Sequence, residues 1–204
     1  MHPGNLIIFT RYPVPGKAKT RLIPALGAVG AARLMQELTL QTLQMAKTFA
    51  AAHGIQLLVY LTDGTPAAMA RLYGPHFLYR LQSQGDLGQR LHYAFQEVLA
   101  AAPGPTLVIG CDCPDLTGSH LAAAFQNLTA YDLVLGPAHD GGYYLLGLKA
   151  PYPELFQDIA WGTAQVLAQT VAKAEALGLT TALLPTLRDL DRPEDLILTS
   201  AIPF

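Results

Sequence analysis

The sequence has few charged residues and no long hydrophobic run, and each shortage removes a class of protein. Charged residues make up 14% of the chain and apolar residues 51%, so a disordered protein is excluded. The formal net charge of −2 gives no reason to expect nucleic acid or an anionic membrane as partner. No run approaches the ~20 apolar residues that cross a bilayer, and the first residues lack the basic segment of a signal peptide. We expect a cytoplasmic protein.

Cysteine is also scarce, and its placement excludes most cysteine chemistry. The two cysteines, Cys111 and Cys113, are two positions apart, which disfavours a structural disulfide. Two thiols are too few for a zinc site made of cysteines alone, and no histidine stands at a matching spacing for a soft metal. We expect both thiols to be reduced.

Two common nucleotide-binding fingerprints are missing. Residues 16–20 follow the first predicted strand, but their spacing fits neither a Walker A loop nor the GxGxxG pattern. This argues against P-loop ATPases and dinucleotide oxidoreductases.

Strand and helix patterns alternate along the 204 residues, which predicts one α/β domain over residues 1–204. The connection at 137–142 is too short for a helical crossover, so the strands on either side of it run antiparallel or bent, in a mixed sheet. The predicted strands are 5–10, 55–61, 77–81, 107–110, 132–136, 143–148 and 180–184; the predicted helices are 30–53, 66–72, one capped by Asp86, 117–128, 163–177 and one that starts at Pro193.

The apolar run 107–110 ends in two carboxylates, Asp112 and Asp115, on either side of Pro114. Parallel sheets place ligands at the carboxyl ends of such buried strands. Asp112 is therefore expected to lie in a cleft and to hold a divalent cation against phosphate oxygens. For Asp115 a cap on the helix near Thr117 is a sufficient explanation.

A basic loop follows the first strand. Arg11, Lys17, Lys19 and Arg21 are four of the thirteen basic residues of the chain, within eleven positions. Such crowding is self-repulsive unless an anion binds, and a loop rich in glycine and proline lets cations approach phosphate closely. We predict a phosphate site here; the alternative is a solvated basic loop.

Residues 139–142 offer a further candidate. Asp140 precedes two glycines and can act as a general base or bind an acceptor, with His139 as a weaker candidate. A tight turn explains the same residues equally well. Trp161, with Thr163, can line an acceptor pocket, although packing is the more common role of a lone tryptophan.

Three motifs, taken in order, resemble a known family. They are residues 11–22, 110–116 and 136–144, and the resemblance extends from about residue 6 to residue 196, with 84–88 and 161–163. Together they resemble bacterial GT-A-type transferases of the nucleotide-diphospho-sugar transferase superfamily, and most closely its selenodomain- or arsenosugar-associated glycosyltransferases. Residues 189–196 are also similar to the ending of MobA-like and CofC-like nucleotidyltransferases, with Arg192 in place of a threonine.

The resemblance implies a single-domain three-layer α/β/α sandwich with a mostly parallel, mixed central sheet. It implies that Asp112 and Asp191 hold Mg²⁺ or Mn²⁺. The usual Asp-x-Asp motif is incomplete here, because Cys113 and Pro114 follow Asp112. Glycosyl transfer from a nucleotide-sugar to a small acceptor is the implied activity. Nucleotidyl transfer, with release of pyrophosphate, is the alternative, and a non-catalytic nucleotide-binding module is a second one.

Overall fold

The computed structural model describes residues 4–198, so both ends of the predicted domain, residues 1–3 and 199–204, lie outside the described residues. None of the helices described is long and apolar enough to span a membrane. The strands are β1 (Asn5–Arg11), β2 (Gln56–Thr62), β3 (Leu78–Leu81), β4 (Thr106–Ile109), β5 (Leu133–Pro137), β6 (Tyr143–Leu148) and β7 (Thr181–Leu183). The α-helices are α1 (Ile23–His53), α2 (Pro66–Tyr73), α3 (Leu87–Ala101), α4 (Gly118–Asn127) and α5 (Val166–Ala176), with 3₁₀ helices at Thr20–Leu22, Pro153–Phe156 and Pro193–Leu198.

The seven strands form one mixed sheet in the order β3-β2-β1-β4-β6-β5-β7. β6 runs antiparallel to both of its neighbours, and the other pairings in the sheet are parallel. Of the two arrangements expected for the strands within residues 132–148, antiparallel or bent, the structure has the antiparallel one, because the short turn between β5 and β6 reverses the chain. The expected mixed sheet is confirmed.

The central strands β1, β4, β5 and β6 are buried on both faces, which explains why they read as continuous apolar runs, whereas the edge strands β3 and β7 are partly exposed. Side chains alternate along β1: Leu6 and Ile8 pack with α1, α2 and α4, whereas Ile7 packs with α3 and α5. The predicted three-layer α/β/α sandwich is confirmed.

Two local predictions need correction. The helix predicted from residue 30 begins at Ile23, with Gly27 in a non-helical conformation that kinks it. Asp115 is not a helix cap, because Thr117 occupies the cap position of α4. The helix predicted to start at Pro193 is present as a 3₁₀ helix.

Candidate functional site

The edge of the sheet at the carboxyl ends of the parallel strands collects the predicted site residues. β1 ends at Arg11, and β4 ends three residues before Asp112. Because β6 runs antiparallel, it begins at this edge, where the carbonyl of Tyr144 accepts the N–H of Gly110 at 3.2 Å. The edge therefore combines loops that follow parallel strands with the first residues of a reversed one.

Asp112 is held through its backbone and through its side chain. Its carbonyl oxygen accepts the backbone N–H of Leu190 at 2.7 Å. Its Oδ1 is buried and lies 2.7 Å from Nζ of Lys19, without the alignment of a hydrogen bond. The side chain as a whole is 49% exposed, so the carboxylate remains open to a ligand.

Lys19 is an unusual lysine, since its side chain is only 3% exposed. Its Nζ donates to the carbonyl oxygen of Leu190 at 2.5 Å. Its backbone adopts a φ of 47°, in the left-handed region that residues other than glycine rarely occupy. A buried ammonium needs partners, and Asp112 together with the Leu190 carbonyl supplies them.

Asp191 lies against the same ammonium. Its Oδ1 is 3.8 Å from Nζ of Lys19, and its Oδ2 is 2.6 Å from Nη1 of Arg21. Asp112 and Asp191 therefore face one point, although about eighty positions separate them in the sequence. Lys19 and Arg21 are each paired with a carboxylate, so the repulsion expected among the loop cations is offset at these two residues.

The four predicted phosphate-binding residues all line one cavity of about 330 Å³, the basic cavity. Arg11 lies at its rim, with Nε 3.8 Å from Oδ2 of Asp63 and Nη1 donating to the carbonyl of Lys17 at 3.3 Å. Lys17 is exposed. The full lining is Arg11, Lys17, Lys19, Thr20, Arg21, Met35, Asp112 and Asp191.

A second cavity of about 360 Å³, the central cavity, lies between β1, β4 and α3. Its walls are mainly apolar and include Phe9, Leu91 and Ile109. Gln82 also lines it, and its Nε2 donates to the carbonyls of Thr10 and Tyr60, each at 3.1 Å. An apolar slot with a few fixed polar groups has the character of a small-molecule site.

A third cavity, of about 250 Å³, is the acidic cavity. Its acidic lining residues are Asp112, Asp140 and Asp189, and three aromatic residues, Tyr143, Tyr144 and Trp161, also line it. Oδ1 of Asp140 accepts the backbone N–H of Gly142 at 2.8 Å, so Asp140 both shapes the turn and lines a cavity. Its catalytic role remains a prediction.

Asp112 is the one residue that lines all three of these cavities. The central cavity shares Arg11 and Met35 with the basic cavity, and Leu87, Gly110, Tyr143 and Tyr144 with the acidic cavity. A ligand that extends from the basic into the central cavity would therefore meet, at Asp112, a second ligand in the acidic cavity.

Asp112 and Asp191 remain the predicted metal ligands. No group of three or more histidine, cysteine or acidic side chains within residues 4–198 is placed to bind one. Mg²⁺, however, usually takes one or two protein carboxylates and fills its other positions with water and substrate phosphate. Two carboxylates that converge on one buried cation, beside a basic cavity, fit that donor set.

Asp189 is a site residue that sequence reasoning did not assign. Burial raises the pKa of its carboxyl, and the neighbouring charge of Asp140 raises it further. The available signal was its position two residues before Asp191, within a segment already compared with a family motif. It lacked an assignment because its chain neighbours do not reveal that Asp140 lies nearby.

Trp161 packs against the start of α3 as well as lining the acidic cavity. A Cβ on Gly88 would lie 2.6 Å from Nε1 of Trp161 and 2.7 Å from the carbonyl oxygen of Phe156. Glycine at this position therefore lets the segment that carries Trp161 approach the helix. The expected packing role and the expected pocket role are both compatible with this position.

His139 and Asp115 are exposed and lie outside the lining of the three cavities. The cysteines are free and buried. Burial raises the pKa of Cys111 to about 12, with a further contribution from the charge of Asp112, and the pKa of Cys113 is raised for the same reasons. Both thiols stay protonated at neutral pH, whereas metal binding and nucleophilic attack need thiolates.

Solved structures define the class of protein. A candidate nucleotide-diphospho-sugar transferase from Desulfovibrio desulfuricans is 32% identical, with a TM-score of 0.91 over 98% of this chain and 87% of that chain. 4-Diphosphocytidyl-2C-methyl-D-erythritol synthase from Anaerococcus prevotii is 8% identical, with a TM-score of 0.64 over 98% and 96%. CMP:2-keto-3-deoxy-manno-octonic acid synthetase, solved in complex with CTP, is 10% identical, with a TM-score of 0.55 over 96% and 96%. The chain has the nucleotide-diphospho-sugar transferase fold.

The chain belongs to the bacterial family DUF2064, described as an uncharacterized protein conserved in bacteria, whose model matches residues 42–163. No curated protein sequence matches the chain. The matched region contains Asp112, Asp140 and Trp161, whereas the basic loop and Asp191 lie outside it. The expected membership of the nucleotide-diphospho-sugar transferase superfamily is confirmed.

Proposed function

We propose that the protein is a metal-dependent transferase that moves a glycosyl group from a nucleotide-sugar to a small acceptor. The chain is an enzyme of the transferase type, by its likeness to the Desulfovibrio protein. The observation that carries the proposal is the meeting of a basic, an apolar and an acidic cavity at Asp112. The reaction needs a site for the diphosphate of the donor, a site for its nucleoside and a site for the acceptor, and each needs a different environment.

In this proposal the diphosphate of the donor lies in the basic cavity, where Lys17 and Arg21 contact its oxygens. Lys19 fixes the two carboxylates and adds positive charge from below the surface. The nucleoside lies in the central cavity, and the acceptor lies in the acidic cavity. Fixed charges around the phosphates favour the transition state because they need not reorganise as charge develops there.

The proposed reaction is a displacement at the anomeric carbon of the donor sugar. The acceptor oxygen forms a bond to that carbon, and the bond from the carbon to the diphosphate oxygen breaks. The electron pair leaves with the nucleoside diphosphate, and the acceptor proton passes to the carboxylate of Asp140. Asp112 and Asp191 would hold Mg²⁺ or Mn²⁺, which when bound neutralises charge on the phosphate oxygens.

Nucleotidyl transfer from a nucleoside triphosphate is the second candidate. The shared fold of the synthetase solved with CTP, together with the density of cations in the basic cavity, favours it. In that reaction the acceptor attacks the α-phosphorus, and pyrophosphate leaves. The two candidates therefore differ in their leaving group, which is a nucleoside diphosphate in glycosyl transfer and pyrophosphate in nucleotidyl transfer.

The test is a thermal-shift screen of nucleoside triphosphates, nucleoside diphosphates and nucleotide-sugars, each with Mg²⁺, with Mn²⁺ and with neither. We expect at least one nucleotide-sugar to raise the melting temperature only when metal is present, because binding to the folded state stabilises it. Stabilising donors are then incubated with the protein, and the products are separated. Release of nucleoside diphosphate supports glycosyl transfer, and release of pyrophosphate supports nucleotidyl transfer.

An arm without metal and an arm with Ca²⁺ serve as controls for non-specific ion effects. Stabilisation by a nucleotide without turnover of any donor would support the non-catalytic binding module instead. A complete lack of response to nucleotides, with either metal, would refute the proposal in all its forms.

A further inference from the structure

The charge of the acidic cavity defines which acceptors can enter the proposed active site. This cavity shares Asp112, Gly110 and Tyr144 with the central cavity, so a molecule bound in it faces the proposed donor. We infer that the acceptor is a neutral or cationic molecule that bears hydroxyl or amino groups, and that phosphorylated acceptors are excluded. The inference rests on the proposed function and names its acceptor class.

The first support is the composition of the wall. Three carboxylates, of Asp112, Asp140 and Asp189, line the cavity, and no lysine, arginine or histidine is among its lining residues within the described part of the chain. A phosphate placed here would meet the carboxylates of Asp140 and Asp189, for which the lining supplies no cation; the third carboxylate, of Asp112, is paired with Lys19. Juxtaposed like charges suppress binding of the wrong partner, so this wall selects against anions.

The second support is that nearby cations are already engaged elsewhere. Nζ of Lys19 contacts Asp112 and Asp191, and Arg21 contacts Asp191, all on the basic side of the site. No ion pair among the described residues includes Asp140 or Asp189. These two carboxylates of the acidic cavity are therefore not neutralised by the protein's own cations.

The third support is the aromatic part of the wall. The rings of Tyr143 and Trp161 meet edge to face, with centroids 6.4 Å apart and planes at 85°. Together with Tyr144 they form the aromatic part of the cavity wall. Aromatic faces attract ammonium groups and the C–H faces of sugars, while carboxylates accept hydrogen bonds from hydroxyl and amino groups.

The same chain provides four cations for the proposed donor phosphates, so it can recognise anions where they are required. Their placement on the other side of Asp112 separates an anionic donor from a non-anionic acceptor. Transfer of a nucleotidyl group to a phosphate monoester would need an anion in the acidic cavity. The acceptor class therefore favours glycosyl transfer over that reaction.

The test uses matched probes that differ by one phosphate. The pairs are glucose and glucose 6-phosphate, glucosamine and glucosamine 6-phosphate, and glycerol and glycerol 3-phosphate. Each is titrated calorimetrically into nucleotide-free protein and into protein saturated with a nucleoside diphosphate and Mg²⁺. We expect an unphosphorylated member of at least one pair to bind, with its phosphorylated partner at least tenfold weaker.

Two variants locate the preference. Asp189→Asn should reduce the preference for the unphosphorylated member at least threefold, because one negative charge leaves the wall. Asp115→Asn is the matched control, since Asp115 is exposed and lies outside the cavity lining, and it should change nothing.

Equal or tighter binding by the phosphorylated member of any pair overturns the inference, as does a lack of binding by every unphosphorylated probe. A preference that survives unchanged in Asp189→Asn, or shifts equally in Asp115→Asn, overturns its assignment to this cavity. Donor binding is read separately by the metal-dependent thermal shift. A failed probe panel with intact donor binding therefore rejects the acceptor class alone and leaves the proposed transferase standing.

Discussion

The basic and acidic cavities lie on either side of Asp112 and treat charge in opposite ways. In the basic cavity Lys19 and Arg21 are matched by Asp112 and Asp191. In the acidic cavity the charge of Asp140 acts on Asp189, and no cation lines the wall among the residues described. Apart from Asp112, which both cavities share, the carboxylates of the acidic cavity have no cation paired with them among the residues described. On the acidic side, neutralisation is left to protonation or to a ligand.

The largest expected effect comes from the cation that organises the basic side. Lys19→Met keeps most of the side-chain volume but leaves Asp112 and the Leu190 carbonyl without their ammonium. We expect a loss of about 2 kcal/mol of stability, less than for a fully buried pair because Asp112 is half exposed. Nucleotide affinity should fall about tenfold or more, the scale of a charged hydrogen bond. Denaturant melts and calorimetric titrations measure the two effects.

Lys17→Met is the matched control, since Lys17 belongs to the same loop and cavity but is exposed. It should weaken nucleotide binding while it leaves the free energy of unfolding within about 0.5 kcal/mol, as is usual for surface positions. Equal stability of the two variants would mean that the ion pairs around Lys19 do not stabilise the fold.

The second prediction concerns the carboxylate shared by the two sides. Asp112→Asn should abolish the metal-dependent part of nucleotide stabilisation, which for a ligand at a hundred times its Kd is about 2.7 kcal/mol. The apo protein should lose only about 1 kcal/mol, because Lys19 keeps Asp191 and the Leu190 carbonyl as partners. The measurement is the melting temperature with nucleotide, with and without Mg²⁺. Unaltered metal dependence would remove Asp112 from the metal site.

The third prediction tests the wall of the acidic cavity. Gly88→Ala places a Cβ 2.6 Å from Nε1 of Trp161 and 2.7 Å from a backbone carbonyl, so the Trp161 segment must move. We expect a loss of about 1 kcal/mol, since overpacking outweighs the helix-propensity gain of alanine. Gly118→Ala, also at a helix start, meets its nearest atom only at 3.4 Å and should be neutral or stabilising. Chemical denaturation of both variants measures their free energies of unfolding. Equal changes in the two variants would contradict the close packing at Gly88.

The smallest effect concerns pH on the acidic side. Burial and then Asp140 raise the pKa of Asp189, so the folded protein binds more protons than the unfolded chain between the ordinary and the raised pKa. Stability contributed by this group is therefore lost as the pH rises through that window. Asp189→Asn removes the loss and should stabilise the protein at pH 7 by about 0.5 kcal/mol, a value reduced for solvent screening. Below the ordinary pKa of aspartate, the two proteins should melt alike.

Local sequence signals predicted the sheet well, because the strands are short apolar runs punctuated by glycine and proline. They failed where a boundary depends on tertiary contacts, as at Gly27, where the helix continues through a kink. The last helix is 3₁₀ although Pro193 stands in a favourable first-turn position. Proline at a helix start fixes one backbone angle but does not determine the hydrogen-bond pattern that follows.

The parts of the site whose residues are close in the sequence were predictable. The parts whose residues are distant in the sequence and are brought together by the fold were not. The basic loop was predictable from its four cations in eleven positions, and Asp112 was predictable from its place after an apolar strand. The burial of Lys19 was not predictable, because it depends on a left-handed backbone and on a carbonyl from the far end of the chain. The proximity of Asp140 and Asp189 likewise follows from topology, with no local signal.

The contacts of Leu190 impose an order on biosynthesis. Its carbonyl receives the ammonium of Lys19, 171 positions earlier, and its N–H reaches the backbone of Asp112. A ribosome delivers the basic loop long before the Leu190 segment. In a nascent chain the basic loop therefore exists for some time without the residues that bury and orient its lysine. A chain that stops before Leu190 should leave the Lys19 ammonium without its carbonyl partner.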